Sequence, residues 1–155
     1  MTFFEAHNLQ FPDNLLSPLT GLRDIALSLR YLNDHHNTHM MLSSIVSTKV
    51  DSVTLIVWGC QHPNDLGDFC SRWAQIENAL CRLSELRERA GCGDKVILNV
   101  HFDNEEFAGE VLEFAKRGEF LPRFQEVGVV HVKTELMDMD RAMSRMMPAE
   151  FTSIT

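Results

Sequence analysis

Hydrophobic and polar residues alternate in four short segments of the chain: DIALSL (24–29), SVTLIVW (52–58), KVILNVHF (95–102) and VVHVK (129–133). A period of two is typical of β-strands, because successive side chains point to opposite faces. In the second segment both sets of side chains are largely apolar. That pattern predicts a strand in a sheet whose second face is also ordered, either as a binding surface or as a second core layer.

The segments between the strands carry apolar residues at steps of three and four, which predicts amphipathic helices. We expect a short helix that begins at Asn37 or Thr38, a helix within 65–90 and a helix capped by Asp103 or Asn104. The last stretch, ELMDMDRAMSRMMPAE, predicts one more amphipathic helix, which Pro148 ends. Its apolar face would carry Leu136, Met139, Met143 and Met146.

A strand that is followed by a helix-length connector and another strand is typical of parallel pairing. The chain has 155 residues, which suits a single domain that spans 1–155. The sequence therefore predicts an α/β fold with about four parallel strands, crossover helices and a C-terminal capping helix.

The charge balance is acidic, with 14 Lys and Arg against 22 Asp and Glu and a net charge of −8. This disfavours non-specific binding to nucleic acid or to an anionic membrane surface. The first residues, MTFFEAHNLQF, have no basic segment followed by an apolar run, so no signal peptide is indicated. We expect a cytoplasmic or nuclear protein without a cofactor.

The leucine pattern around the strands resembles that of leucine-rich repeats. The first predicted strand lies at the end of the segment LSPLTGLRDIALSL, and the third lies at the end of ALCRLSELRERAGCGDKVILNVHF. In both segments apolar residues recur every three positions before the strand. The pieces LSSIVSTKVDSVTLIVW (42–58) and FLPRFQEVGVVHV (120–132), with Trp73, Ile76 and Leu80 between them, resemble more narrowly the C-terminal region of fungal F-box/leucine-rich-repeat proteins. The resemblance covers roughly residues 15–133.

That resemblance implies a solenoid-like module that binds protein partners, similar to the substrate-binding part of an F-box receptor. The chain shows no F-box, so the resemblance does not imply binding to a ubiquitin ligase. The strand spacing is also irregular, since 28 residues separate Ile25 from Val53 and 43 separate Val53 from Val96. The ends of such an array need covers. We expect Phe3, Phe4 and Phe11 at one end and the Met-rich helix at the other, or dimerisation through an exposed strand edge.

The first candidate site is the sheet face opposite the core. The core face would carry Ile25, Leu27, Leu29, Val53, Leu55, Val57, Val96, Leu98, Val100, Val130 and Val132. The predicted contact residues on the other face are Ile56, Trp58, Asn99, His101, His131 and Lys133. An aromatic anchor among polar groups is typical of a protein-binding surface. Alternatively, helices cover this face and Ile56 and Trp58 belong to a second core layer.

Histidines and cysteines offer weaker candidates for metal binding or catalysis. DHHNTH places His35, His36 and His39 together, but a helix start at Asn37 or Thr38 would leave His35 outside the helix. Cys60, His62 and Cys70 have part of the spacing of a zinc site without an indicated fourth ligand. Cys60 also follows a strand, where a thiol could pair with His101 or His131 as a catalytic site. Otherwise Cys60, Cys70, Cys81 and Cys92 are reduced, buried thiols.

Overall fold

The computed structural model describes residues 2–5, 16, 19–30, 34–59 and 66–133. It contains five strands, β1 (Thr2–Glu5), β2 (Asp24–Arg30), β3 (Ser52–Trp58), β4 (Val96–Phe102) and β5 (Gly128–Lys133). The five helices are α1 (His35–Ser43), α2 (Leu66–Arg72), α3 (Ala74–Arg89), α4 (Glu105–Lys116) and α5 (Pro122–Val127). The fold is therefore α/β, as the sequence predicts.

The strands form one parallel sheet in which spatial order follows chain order, β1-β2-β3-β4-β5. The four predicted strands are confirmed within one residue at either end. β1 was not predicted, and it contains Phe3 and Phe4, which we expected as a cover over the first repeat. They instead lie in a strand that extends the sheet next to β2, in register with Ala26 and Leu27. Phe11 and the predicted Met-rich helix (136–147) lie outside the described residues.

One hydrophobic core lies against one face of the sheet. The predicted inward residues of β2, β3 and β4 all belong to it and are buried, and Val130 and Val132 of β5 pack at its margin. Side chains from every described helix join the same cluster, among them Leu42, Phe69, Leu80, Val111 and Phe124. The described helices thus form a single layer. A doubly wound sheet would show a reversal of strand order and helices on both faces.

The first helix begins earlier than predicted. The carbonyl of Asp34 accepts both the backbone N–H and the hydroxyl of Thr38, each at 2.9 Å. The first turn is therefore built on Asp34, and His35, expected outside the helix, is its first residue. Thr38 bonds back into the helix instead of capping it.

The long apolar stripe of 65–90 is confirmed as a buried face but is divided between two helices. Phe69, Trp73, Ile76 and Leu80 are all fully buried. The helix is interrupted at Trp73, whose backbone N–H donates to the carbonyl of Cys70, three residues before it, in a tighter turn than that of an α-helix. α4 begins as predicted, because the Asn104 side chain accepts the backbone N–H of Phe107 at 2.9 Å.

Candidate functional site

The parallel register aligns the side chains of the outer sheet face in rows across the strands. Asn99 of β4 is paired with Thr54 of β3 and with His131 of β5. In the next row His101 is paired with Ile56 and with Lys133. The predicted contact residues of neighbouring strands therefore lie side by side, with strands about 4.8 Å apart.

The half of this face on β2 and β3 is buried. Ala26, Ser28, Thr54 and Ile56 are 0%, 3%, 6% and 0% exposed. Ile56, predicted as a contact residue, cannot touch a partner in this conformation, so its assignment is corrected to a buried position. Trp58 is half-buried, and its indole N–H donates to the Ser28 hydroxyl at 2.8 Å. On β2 and β3 the outer face is therefore covered, as the alternative prediction had it.

The half on β4 and β5 is open to solvent. Ile97 is 37% exposed, His131 and Lys133 are exposed, and Asn99 and Val129 are half-buried. We call these five residues the open strip. His101 lies at its border and is 8% exposed. The open strip is apolar at the start of the strands and polar at their ends, and it contains no carboxylate.

The histidines of α1 do not converge on one site. The ring of His35 packs edge-on against Trp73 and Phe69, with centroids 5.8 Å and 6.0 Å apart. His39 turns toward α3, where its Nδ1 lies 3.0 Å from the carbonyl of Gln75. His36 is exposed. Within 2–5, 16, 19–30, 34–59 and 66–133 no three His, Cys, Asp or Glu side chains form a group that could hold a metal ion.

The thiols differ in their surroundings. Cys70 and Cys81 are partly buried, and burial raises the pKa of both, that of Cys70 to about 11. Both thiols are therefore protonated at neutral pH, the form in which a thiol is a weak nucleophile. Cys92, expected to be buried, is exposed in the turn after α3, where Gly91 adopts a positive φ of 80°. Cys60 and His62 lie outside the described residues, so the catalytic hypothesis that involves Cys60 stays a prediction.

Two ion-pair groups were not anticipated from the sequence, because each joins residues that are distant along the chain. Asp51 accepts from Arg23 at 3.0 Å and from Arg87, at the start of the strands. The hydrogen bond from Arg23, together with that from Arg87, holds the pKa of Asp51 below its ordinary value. Glu77 pairs with Arg123 across 46 residues. Both groups connect elements of the fold and leave the open strip untouched.

A groove of about 330 Å³ opens at the end of the sheet where the strands begin. It lies between the end of α3, the following turn and the end of α5. Its polar lining includes Glu88, Cys92, Asp94 and Lys95. The only sequence signal for it is the GCGDK turn (91–95), which precedes a strand and so lacks the placement of a phosphate-binding loop.

In the part of the chain that the structure describes, none of the helices has both the length and the apolar character required to cross a membrane. Comparison of the chain with family models, with curated proteins and with solved structures finds no match in any of the three.

Proposed function

We propose that this protein is a non-enzymatic protein–protein interaction module that binds its partner through the open strip. The observation that carries the proposal is the exposure of an ordered row of side chains on a sheet face that the described helices leave free. Apolar Ile97 and Val129 next to polar Asn99, His131 and Lys133 provide the mixture of contacts that protein interfaces use.

The arrangement also supports a solenoid-like binding module, because strand order follows chain order and the helices form one layer. In such arrays the exposed strand face is the usual binding surface. A relationship to the substrate-binding part of fungal F-box receptors, without the F-box, belongs to this proposal, as does a cytoplasmic or nuclear location. Trp58 and His101 would form the border of the interface, next to Ile56 in the covered half of the face.

The test is affinity capture from cell lysate with mass spectrometry, using wild type, a His131→Ala/Lys133→Ala variant and a His36→Ala/Lys116→Ala variant. The control removes the same two residue types from exposed positions on the helical layer. We expect a partner that wild type and control retain and that the open-strip variant loses, while circular dichroism shows all three folded. A partner set that is identical for all three proteins would contradict the proposal.

A second copy of the chain is a separate possible partner, through the edge of the sheet or through the predicted Met-rich segment. Sedimentation velocity over a range of concentrations distinguishes the two cases. A dimer that persists in the His131→Ala/Lys133→Ala variant would place self-association outside the open strip, whereas a concentration-independent monomer leaves the partner to be found in the lysate.

A further inference from the structure

We propose that the open strip recognises an acidic peptide segment in an extended conformation, with an apolar side chain and a carboxylate four residues apart. The inference rests on the proposed function and identifies the chemical class of the partner. The apolar side chain would lie on Ile97 and Val129, and the carboxylate would pair with Lys133.

The apolar end of the open strip is a two-residue platform. Ile97 and Val129 are register partners on neighbouring strands and point to the same side of the sheet. Ile97 is one of the few large apolar side chains of the described chain that is more than a third exposed, and Val129 beside it is half-buried. One aliphatic or aromatic side chain of a partner would cover both and remove their apolar surface from water.

The cationic end follows on the same strand. Alternate residues of β5 share a face, so Val129, His131 and Lys133 lie in a line. At about 3.3 Å per residue, Lys133 lies roughly 13 Å from Val129. An extended peptide covers the same distance in four residues, which gives the predicted spacing. Asn99, paired with His131, offers amide donors and acceptors to the peptide between the two anchors.

The charge distribution selects an acidic partner. The chain has a net charge of −8, and the outer surface of α4 alone exposes Glu105, Glu106, Glu110 and Glu113. The open strip carries an exposed Lys and an exposed His and no carboxylate. An acidic segment is therefore repelled by much of the molecule and attracted to this face. Charge complementarity thus favours binding at the open strip over the rest of the surface.

Fluorescence anisotropy with labelled peptides tests the inference. The probe is fluorescein-labelled Gly-Ser-Leu-Ser-Thr-Ser-Glu-Ser-Gly. A second probe has the reversed sequence, because the spacing of the two anchors does not fix the direction in which the peptide runs. Control peptides replace Glu with Gln or Leu with Ser. The proteins are wild type, Lys133→Glu, Ile97→Thr and Lys116→Glu, the last of which makes the same charge change on α4.

We expect one of the two peptide directions to bind wild type and Lys116→Glu equally, and Lys133→Glu at least about fivefold more weakly. The Ile97→Thr substitution in the protein and the Leu-to-Ser change in the peptide should each weaken binding. Raising the salt concentration from about 50 mM to about 300 mM should weaken the binding of peptides that contain Glu and leave that of the Glu-to-Gln peptide unchanged. A peptide with Lys in place of Glu should bind Lys133→Glu better than wild type. A purely structural role of Lys133 would not produce that reversal.

Two results would overturn the inference and separate its failure from that of the proposed function. If neither peptide direction binds wild type, or if Lys133→Glu and Lys116→Glu bind alike, the partner is not an acidic extended segment. If affinity capture still shows a partner that His131→Ala/Lys133→Ala loses, the interaction module stands with a different ligand. If capture is also unaffected, both proposals are wrong.

Discussion

Glu77 is a charged residue that the fold buries, with 5% exposure on α3. Its carboxylate accepts the backbone N–H of Arg123 at 2.9 Å and that of Phe124 at 3.2 Å, at the start of α5. These amides have no partner within α5, because the first N–H groups of any helix lack one. The side chain of one helix therefore caps another, and Arg123 adds an ion pair at the surface.

We expect Glu77→Ala to lower the free energy of unfolding by about 2–3 kcal/mol, since it leaves buried amides without acceptors. Arg123→Ala should cost no more than about 1 kcal/mol, because its ion pair with Glu77 and its hydrogen bond to Asn78 are made by a largely exposed side chain. Urea denaturation followed by circular dichroism measures both. Equal losses in the two variants would show that the ion pair, and not the capping bonds, is what Glu77 contributes.

Asp51 makes stability depend on pH. Its pKa in the folded protein is lowered, first by the hydrogen bond from Arg23 and also by that from Arg87. A lowered folded pKa means that the stabilisation is complete above the ordinary carboxyl pKa of about 4 and is lost as the pH falls toward the lowered value. We expect Asp51→Asn to cost about 1 kcal/mol at pH 7, a discounted figure because the side chain is 35% exposed.

The measurement is the free energy of unfolding from urea titrations at about pH 7 and about pH 3. The difference between wild type and Asp51→Asn should shrink toward the acid end, because falling pH begins to protonate the carboxylate of wild type. Asp94→Asn makes the same change at an exposed position in the turn before β4 and is the matched control. A constant difference between wild type and Asp51→Asn across this range would refute the assigned origin of the shift.

At the scale of elements, α5 and β5 are joined at Gly128, where the helix gives way to the strand without a connecting loop. The Phe124 ring, fully buried, lies against the Cα of Gly128 in the space that a Cβ would occupy. Gly128 has an extended backbone, so the requirement for glycine here is steric. This close contact lets a six-residue helix pack its one fully buried aromatic ring against the strand that follows.

We therefore expect Gly128→Ala to destabilise the protein by about 1–3 kcal/mol, because the ring must move within a packed core. Gly109→Ala on α4 is the control: an added Cβ there meets no atom within 4 Å. That change should stabilise the protein by about 0.5–1 kcal/mol through helix propensity. Thermal melts of both variants measure the effects, and an unchanged melting temperature for Gly128→Ala would contradict the packing described.

At the scale of the molecule, one core cluster runs from Leu16 to Phe124 and joins all the described helices to β2, β3 and β4. No described helix pair packs independently of the sheet. A continuous core of this kind favours cooperative unfolding of the entire domain. The solenoid-like order of strands would otherwise allow the two ends to unfold separately, as neighbouring repeats interact only with each other.

We expect far-UV circular dichroism and tryptophan fluorescence to report the same unfolding midpoint in urea. The chain has two tryptophans, so a Trp58→Phe variant leaves the buried Trp73 as the single fluorescent probe. Adding Gly128→Ala to that variant should shift both signals equally, although residue 128 lies at the far edge of the sheet. Separate shifts would show that the β4–β5 end unfolds as its own unit.

Local patterns predicted the four main strands, the inward residues of the sheet and a cap at Asp103 or Asn104, of which the structure shows Asn104. These features follow from side-chain periodicity and from hydrogen bonds within a few residues, and both can be read along a short stretch of chain. For the same reason the inward side chains Val53, Leu55 and Val57 were correctly assigned to the core, although the other side of their strand is apolar too.

Long-range packing settled the rest. The outward face has the same alternation on β3 and β4, yet Ile56 is buried and Ile97 is exposed, because burial depends on what lies above each strand and not on its own sequence. The cap on α5 comes from Glu77, 46 residues before Arg123. A sequence pattern shows which side of a strand a residue occupies, and only the packed chain determines whether that side meets water.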